Sequence, residues 1–292
     1  MSINNDAEDW RDRDGAADLA LSFCMKRSAM DTRKLFVKKE NEKAKPAQVI
    51  VNMVLALAAI FLFFMLSLKR LDMKLDFSLL WKFRIRYLQG YKTTVMLSIV
   101  SLILSLVIGF ISAIGSRSNI LPISYISRIY VQFIRGTPMI MQVYLFFYIV
   151  GTAWGISNRF LAGVLILSIF EGAYISEIFR GGIESIDGTQ LEAAKAIGLE
   201  PGQTMRLVIL PQIIKRTLPS LAGQFASIIK DSSLLSLISV IELTQTSREV
   251  SATNFAVFEV YMFLGLLYLT LTFPISMFTK YLEKRFSYEN RT

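Results

Sequence analysis

The stretch TTVMLSIVSLILSLVIGFISAIGS, from Thr93 to Ser116, runs 24 residues without a charge between Lys92 and Arg117. A helix rises about 1.5 Å per residue, so roughly 20 such residues cross a hydrocarbon core of about 30 Å. Outward from it lie five further segments of similar length. Ala47–Leu68 is uncharged, and Gly136–Asn158 sits between Arg135 and Arg159. Phe160–Phe179 carries Glu171 near its middle, Thr217–Ile241 is interrupted by Lys230-Asp231, and Val260–Thr279 is clean. The expected fold is an all-α integral membrane protein with six transmembrane helices.

Composition agrees. Of 292 residues 53% are hydrophobic and only 19% charged, with a mean hydropathy of +0.47; a soluble domain carries about 25% charge. The single cysteine, Cys24, rules out an internal disulfide framework or a cysteine-built metal site. With no histidine, triads and HExxH zinc chemistry are excluded. No bound metal or cofactor is expected.

Residues 1–46 differ from the rest: they hold ten of the 32 Lys and Arg and lack the apolar run of a signal peptide. They read as a charged cytoplasmic tail. Six spans place both termini on one side. If that side is the cytoplasm, the tail, the 117–135 loop, the 180–216 loop and the C-terminus together hold 22 Lys and Arg, and the outer loops nine. The positive-inside rule supports that orientation. Seven of the nine fall in Lys69–Lys92. The part Phe77–Tyr87 can lie flat in the interface, with Trp81 and Phe83 inserted and the cations toward headgroups.

Within the second span, Ser98, Ser101, Ser105, Gly109 and Ser112 recur at spacings of three and four, a stripe of small residues that lets another helix approach closely.

The longest internal loop, Arg180–Arg216, has structure of its own. Thr189-Gln-Leu-Glu192 fits a capping box, and Ala193, Ala194, Lys195 and Ala196 favour helix. Gly198 stands where a left-handed residue ends a helix. Pro201 suits the first turn of a second helix, and Pro211 is expected to prevent its long continuation. Leu191, Ala194 and Ile197 share an apolar face. The loop forms a knob, and a knob offered to the cytosol enters a groove on a partner.

Glu192-Ala-Ala-Lys-Ala-Ile-Gly198, with Leu210-Pro-Gln212 downstream, resembles the EAA motif of ABC importer permeases. Tyr130-Val-Gln-Phe-Ile-Arg-Gly-Thr-Pro138, Gly172–Ile183 and Lys230-Asp-Ser-Ser-Leu234 with Glu242-Leu243 are similar to further blocks of the polar amino acid subfamily. These four ordered blocks lie within residues 87–283. The resemblance implies a type I importer core of five spans over 87–283, with a cytoplasmic coupling loop at 184–212. It implies a second permease, identical or related, and a cytoplasmic ATPase on which Leu191, Glu192, Ala193, Ala194, Ile197 and Gly198 dock. It also implies an extracytoplasmic binding protein that delivers an amino acid, and placement in the bacterial cytoplasmic (inner) membrane. Nucleic acid is not among the expected partners. Outside that core, residues 47–68 form an additional N-terminal transmembrane helix, 69–86 an interfacial or extracytoplasmic linker, and 284–292 a cytoplasmic tail.

ATP must be hydrolysed on the partner, since the chain has no GxxxxGK[ST] phosphate loop. Its own chemistry is then mechanical. Glu171 at membrane depth costs at least about 2.5–3.5 kcal/mol unless it has a partner or a wet cavity. It reads either as a carboxyl packed against another helix or as a cavity wall that receives an ammonium. Tyr174, about one turn on, can face the same way. Lys230 and Asp231 are adjacent and cannot share a face, so the span breaks there or each finds its own partner. Candidate pathway residues are therefore Glu171, Tyr174, Lys230 and Asp231. Glu177 and Arg180 read as an intrahelical ion pair, and Arg135 as a cation snorkelling to headgroups. A stand-alone secondary carrier or channel is the rival function, but it would show inverted repeats and would leave the 184–212 loop unexplained. An intramembrane enzyme would need clustered acids, and Glu171 and Asp231 lie on different spans.

Overall fold

In the computed structural model, which describes residues 46–70 and 75–288, the charge-free stretch Thr93–Ser116 is helical throughout. The 1–45 part of the tail, Cys24, linker residues 71–74 and the last four residues lie outside the described set. The chain divides into two units between Lys74 and Leu75. In the first, α1 (Pro46–Arg70) is one unbroken apolar helix closed by Lys69 and Arg70, long enough to cross a bilayer.

The second unit begins with α2 (Ser78–Lys82) and α3 (Arg84–Ser116). Ahead of α2, Asp76 accepts from the Ser78 amide at 2.9 Å, and the Ser78 hydroxyl and amide hold its carboxyl below the ordinary range. Trp81 and Phe83 differ in their surroundings. Trp81 is exposed beneath the Arg84 guanidinium at 4.7 Å, whereas Phe83 packs inward with Leu79 and Leu80. The cause is α3, which starts at Arg84 and turns Phe83 toward the bundle.

After α3 the chain was expected to loop to Arg135 and then cross in one straight span. Instead α4 (Leu121–Gly136), begun by a proline in its first turn, meets α5 (Met139–Tyr144), which continues as a π-helix over Leu145–Gly151. The axes differ by 114°. Thr137 and Pro138 are extended because a residue before proline is driven out of the helical region and proline offers no amide to the ladder. Gly155, at φ +65°, makes the turn toward α6 (Arg159–Glu184), and Asn158 caps that helix by accepting from the Leu161 amide at 3.1 Å.

The loop then contributes α7 (Gly188–Ala196) and the single turn α8 (Pro201–Gln203). Pro211 does not stop the second helix. A π-helical stretch, Thr204–Ile209, leads without interruption into α9 (Leu210–Asp231), where Pro211 occupies the first turn. The widened turn changes the hydrogen-bond register ahead of a residue that has no amide to donate. Past Asp231 the chain tightens to a 3-10 helix, Ser232–Ile238, and ends at Ser239 in the left-handed conformation. The expected break at Lys230-Asp231 is therefore present. Last come α10 (Leu243–Asn254) and α11 (Val257–Tyr288).

Contacts fix the direction of each helix. The Ser101 hydroxyl donates to the Val164 carbonyl, the Ser168 hydroxyl to the Ser101 carbonyl, and a Cβ on Gly109 would sit 2.9 Å from the Gly172 carbonyl. So α3 and α6 run parallel, and the segment between them returns across the bundle. The small-residue stripe of α3 is this interface: Ser98, Ser101, Ser105, Gly109 and Ser112 are all buried. Helix α9 is antiparallel to α6, since Thr217 packs on Gly182 and Gln224 reaches Glu171. Helix α11 starts beside α3, with Glu259 accepting from Asp76 and Phe263 edge-on to Tyr87 at 5.0 Å. It passes Gly223 of α9 at Thr279. One apolar cluster joins Leu97, Ile134, Val143, Leu167, Leu235 and Ile238; a second joins Tyr87, Leu243, Val250, Val260 and Leu264. Among the described residues no strand occurs, and four helices are long and apolar enough to cross a membrane, or five if the bent pair is one span.

Candidate substrate site and loop

Glu171 is fully buried on α6. The antiparallel register of α9 brings two of its side chains to it. The Gln224 amide donates to Glu171 Oε2, and the Asp231 carboxyl lies near enough to act on Glu171 electrostatically. Glu171 Oε1 has no donor among the described residues. Two neighbouring carboxyls repel unless a proton or a cation lies between them, so the arrangement can hold either one. Seven residues separate Gln224 from Asp231, two helical turns, which puts both on the face toward α6. That spacing was the available signal for Gln224, which sequence reasoning passed over.

Tyr174 is half-buried, its ring 5.1 Å from that of Phe170 and 5.7 Å below the Arg135 guanidinium. Lys230 is exposed and is not brought to Glu171. Arg135 departs from its expected snorkelling role: it is 2.9 Å from Glu177 of α6. The same carboxylate receives Arg180 through Nε and Nη2, both at 2.9 Å, so the intrahelical pair is present and extended by a third member. A cation half out of solvent finds a fixed carboxylate one turn beyond Tyr174 and stays there.

At the same end of the bundle stands the loop. The expected capping box at Thr189 is displaced. Asp187 is the N-cap, accepting from the Thr189 amide at 3.1 Å, so Thr189 already lies within the helix. An aspartate two residues upstream satisfies the first turn before the threonine can. A capping box does form, one helix later, between Glu200 and Gln203. Gly198 has φ +80°, with the Leu199 amide donating to the Ala194 carbonyl and the Gly198 amide to the Lys195 carbonyl, both at 3.0 Å. This pair of bonds is a Schellman turn. Ala194 is buried, while Leu191 and Ile197 are exposed, Ile197 at 76%. Glu192 and Ala193 are exposed as well. The root is fixed by the Arg216 guanidinium, which donates to the Ser185 carbonyl.

Long apolar helices packed around a buried carboxyl, with a knob at one end, fit a membrane protein. Residues 105–288 match the family described as binding-protein-dependent transport system inner membrane component. The chain is 36% identical over 199 residues to a probable glutamine ABC transporter permease of Bacillus subtilis, covering 68% of this chain and 92% of the relative. It is 34% identical to a glutamine transport system permease of Escherichia coli, over 73% and 98% of the two chains. Among solved structures, an amino acid ABC transporter superposes with a TM-score of 0.68 at 32% identity, over 73% of this chain and all of that one. The MetNI methionine transporter shares the fold at 17% identity, with a TM-score of 0.57 over 69% and 98% of the two chains. The chain belongs to the binding-protein-dependent transport system inner membrane component family. It is the permease subunit of an ABC importer, and ATP is hydrolysed by a separate subunit.

Proposed function

We propose that this permease imports a polar amino acid delivered by an extracytoplasmic binding protein. Its α-ammonium, or a cationic side chain, is received between Glu171 and Asp231, with Tyr174 as the neighbouring wall. Lys230, on the exposed side of the same break, offers the opposite charge to a carboxylate. The closeness of Asp231 to the buried Glu171 carboxyl supports this reading, because two acceptors side by side suit a cation. The names of the glutamine and amino acid permeases that the chain resembles support the substrate class.

The loop 184–212 is the coupling element. Leu191 and Ile197 enter a groove on the ATPase, Glu192 and Ala193 flank them, Ala194 anchors the helix from within, and Gly198 sets the bend. ATP closes the partner subunits, the knobs move with them, and α6 and α9, which carry the acid pair, move with the loop between them. A second permease, identical or related, completes the pathway. Six crossings, α1 included, put both termini in the cytoplasm of a bacterial inner membrane. Helix α1 is an addition to a core spanning 87–283, with 1–46 and 284–292 as cytoplasmic tails and 69–86 as an interfacial linker.

Extraction in mild detergent through a C-terminal tag tests the reading. A stoichiometric ATPase with a phosphate-binding loop should co-purify and be lost on substitution of Gly198. A homogeneous preparation without ATPase that still moves amino acids into liposomes would overturn it in favour of a secondary carrier.

A further inference from the structure

Two stripes run side by side along α4. Arg128, Gln132 and Arg135, at i, i+4 and i+7, border a cleft of about 700 Å³ that Arg117 and Arg180 also line. Tyr125, Ile126, Ile129 and Phe133 occupy the adjoining stripe and are 44–69% exposed. The cleft contains four guanidiniums (Arg117, Arg128, Arg135, Arg180) and two carboxylates (Glu177, Glu184), four minus two, a net +2. The carboxylates are already committed. Glu177 is held by Arg135 and Arg180, and Glu184 by Arg180 at 2.5 Å. Arg117 has only a 3.7 Å approach to Glu184. Arg128 places Nε and Nη2 on the Ser116 carbonyl, at 3.3 and 3.2 Å, and among the described residues it has no ion pair. Two guanidiniums therefore face the cleft with charge to spare.

Depth decides what anion they meet. Ser116 is the last residue of the charge-free run that begins at Thr93, so Arg117 and Arg128 stand where hydrocarbon gives way to headgroups. A guanidinium matches two phosphate oxygens at once. The exposed apolar stripe beside it on the same helix offers acyl chains a surface to lie against. We infer that this cleft seats the phosphodiester of an anionic phospholipid, its chains lying along Tyr125, Ile126, Ile129 and Phe133. A zwitterionic headgroup would bring an ammonium to a site already at net +2. A second copy of this chain docked through the same face would set two such cationic stripes against each other.

The test uses the full chain, with the subunits that co-purify, in phosphatidylcholine nanodiscs containing a minor share of phosphatidylglycerol. Native mass spectrometry then reads the phosphatidylglycerol retained per permease. Near a membrane surface each arginine contributes about a fivefold preference for anionic lipid, so Arg117→Gln should lower retention about fivefold and Arg117→Gln with Arg128→Gln about thirtyfold. Arg128→Lys, which keeps the charge but not the two-pronged donor, should lose less than Arg128→Gln. The Arg117 change leaves the Ser116 cap intact, so it reads the site even if the double variant folds poorly. Unchanged retention in Arg117→Gln would overturn the inference. Displacement of the lipid by millimolar inorganic phosphate would overturn it in favour of a free-anion site. A disulfide joining two copies through Ile126→Cys, in a Cys24→Ser background, would assign the face to a second copy instead.

Discussion

The carboxyl of Glu171, in the middle of α6, accepts from the Gln224 amide of α9, and Asp231, the last residue of α9, lies near enough to act on it electrostatically. The register that brings them together is set elsewhere, by Thr217 against Gly182 and by Arg216 on the Ser185 carbonyl. Both of those contacts lie at the root of the 184–212 loop. On the proposed function, a shift of that root moves Asp231 relative to Glu171 and changes the site's fit to a cation. A ligand can bias the two access states only through such a difference in affinity.

Glu171→Gln should follow from this directly. The amide keeps the volume and can donate to Asp231, which removes one acceptor and the charge that a cationic substrate meets. A charge-assisted bond is worth about 1.5–3 kcal/mol, so the apparent affinity for a cationic amino acid should fall tenfold or more, on the order of a hundredfold at most. A neutral amino acid should lose less. Uptake titrations in proteoliposomes with both substrates decide it, and equal losses would return Glu171 to a purely structural role.

Gly198 separates backbone strain from space. A Cβ there would meet nothing within 4 Å, so bulk alone is tolerated, but φ is +80°. Gly198→Val should abolish most coupling at near-normal expression, because a β-branched residue resists the left-handed region. Gly198→Asn, which adopts that region several-fold more readily, should retain most activity. Substrate-stimulated ATP hydrolysis by the assembled complex measures both. Equal behaviour of valine and asparagine would mean that the bend is not what couples.

Gly109 tests the α3–α6 interface. A Cβ would lie 2.6 Å from Ile175 Cγ2 and 2.9 Å from the Gly172 carbonyl, and the backbone atom cannot move aside. Gly109→Val should destabilise by about 1–3 kcal/mol or more, seen as a lowered midpoint of thermal unfolding in detergent. Gly181→Ala, where a Cβ meets nothing, is the matched control. An unchanged midpoint for Gly109→Val would show that the two helices are not in close contact in the bilayer.

Much of the fold was legible because lipid demands long apolar helices, and α1, α3, α6 and α11 announce themselves that way. Helix α9 was legible only in part: Thr217–Ile241 reads as a span, but the helix starts at Leu210, carries Lys215, Arg216 and two prolines, and ends at Asp231. The bent pair was missed because α4 is amphipathic and charged, so it reads as loop when only an uninterrupted apolar run is sought. At the site, Glu171 and Asp231 were each visible as costly charges. Their meeting was not, because it depends on the antiparallel register of two helices and no local pattern encodes that. The displaced cap at Asp187 shows the same limit on a smaller scale: two residues could cap one turn, and spacing alone did not choose between them.

Glu242 gives the last prediction. It is fully buried at the start of α10, where its carboxylate accepts from the Thr244 and Gln245 amides, each at 2.7 Å, and from the Tyr268 hydroxyl at 2.9 Å. One side chain thus caps α10 and ties it to α11, at the end of the bundle opposite the 184–212 loop. Glu242→Ala leaves two half-buried amides without their acceptor, which costs about 1–3 kcal/mol in all. Tyr268→Phe removes a single bond and should cost about 1 kcal/mol. Thermal unfolding in detergent should rank the alanine variant well below the phenylalanine one, with the double variant little worse than Glu242→Ala alone, because the tyrosine's bond is already lost. Additive losses would show that Tyr268 acts through Thr244, whose hydroxyl lies 2.9 Å away, and not through the carboxylate.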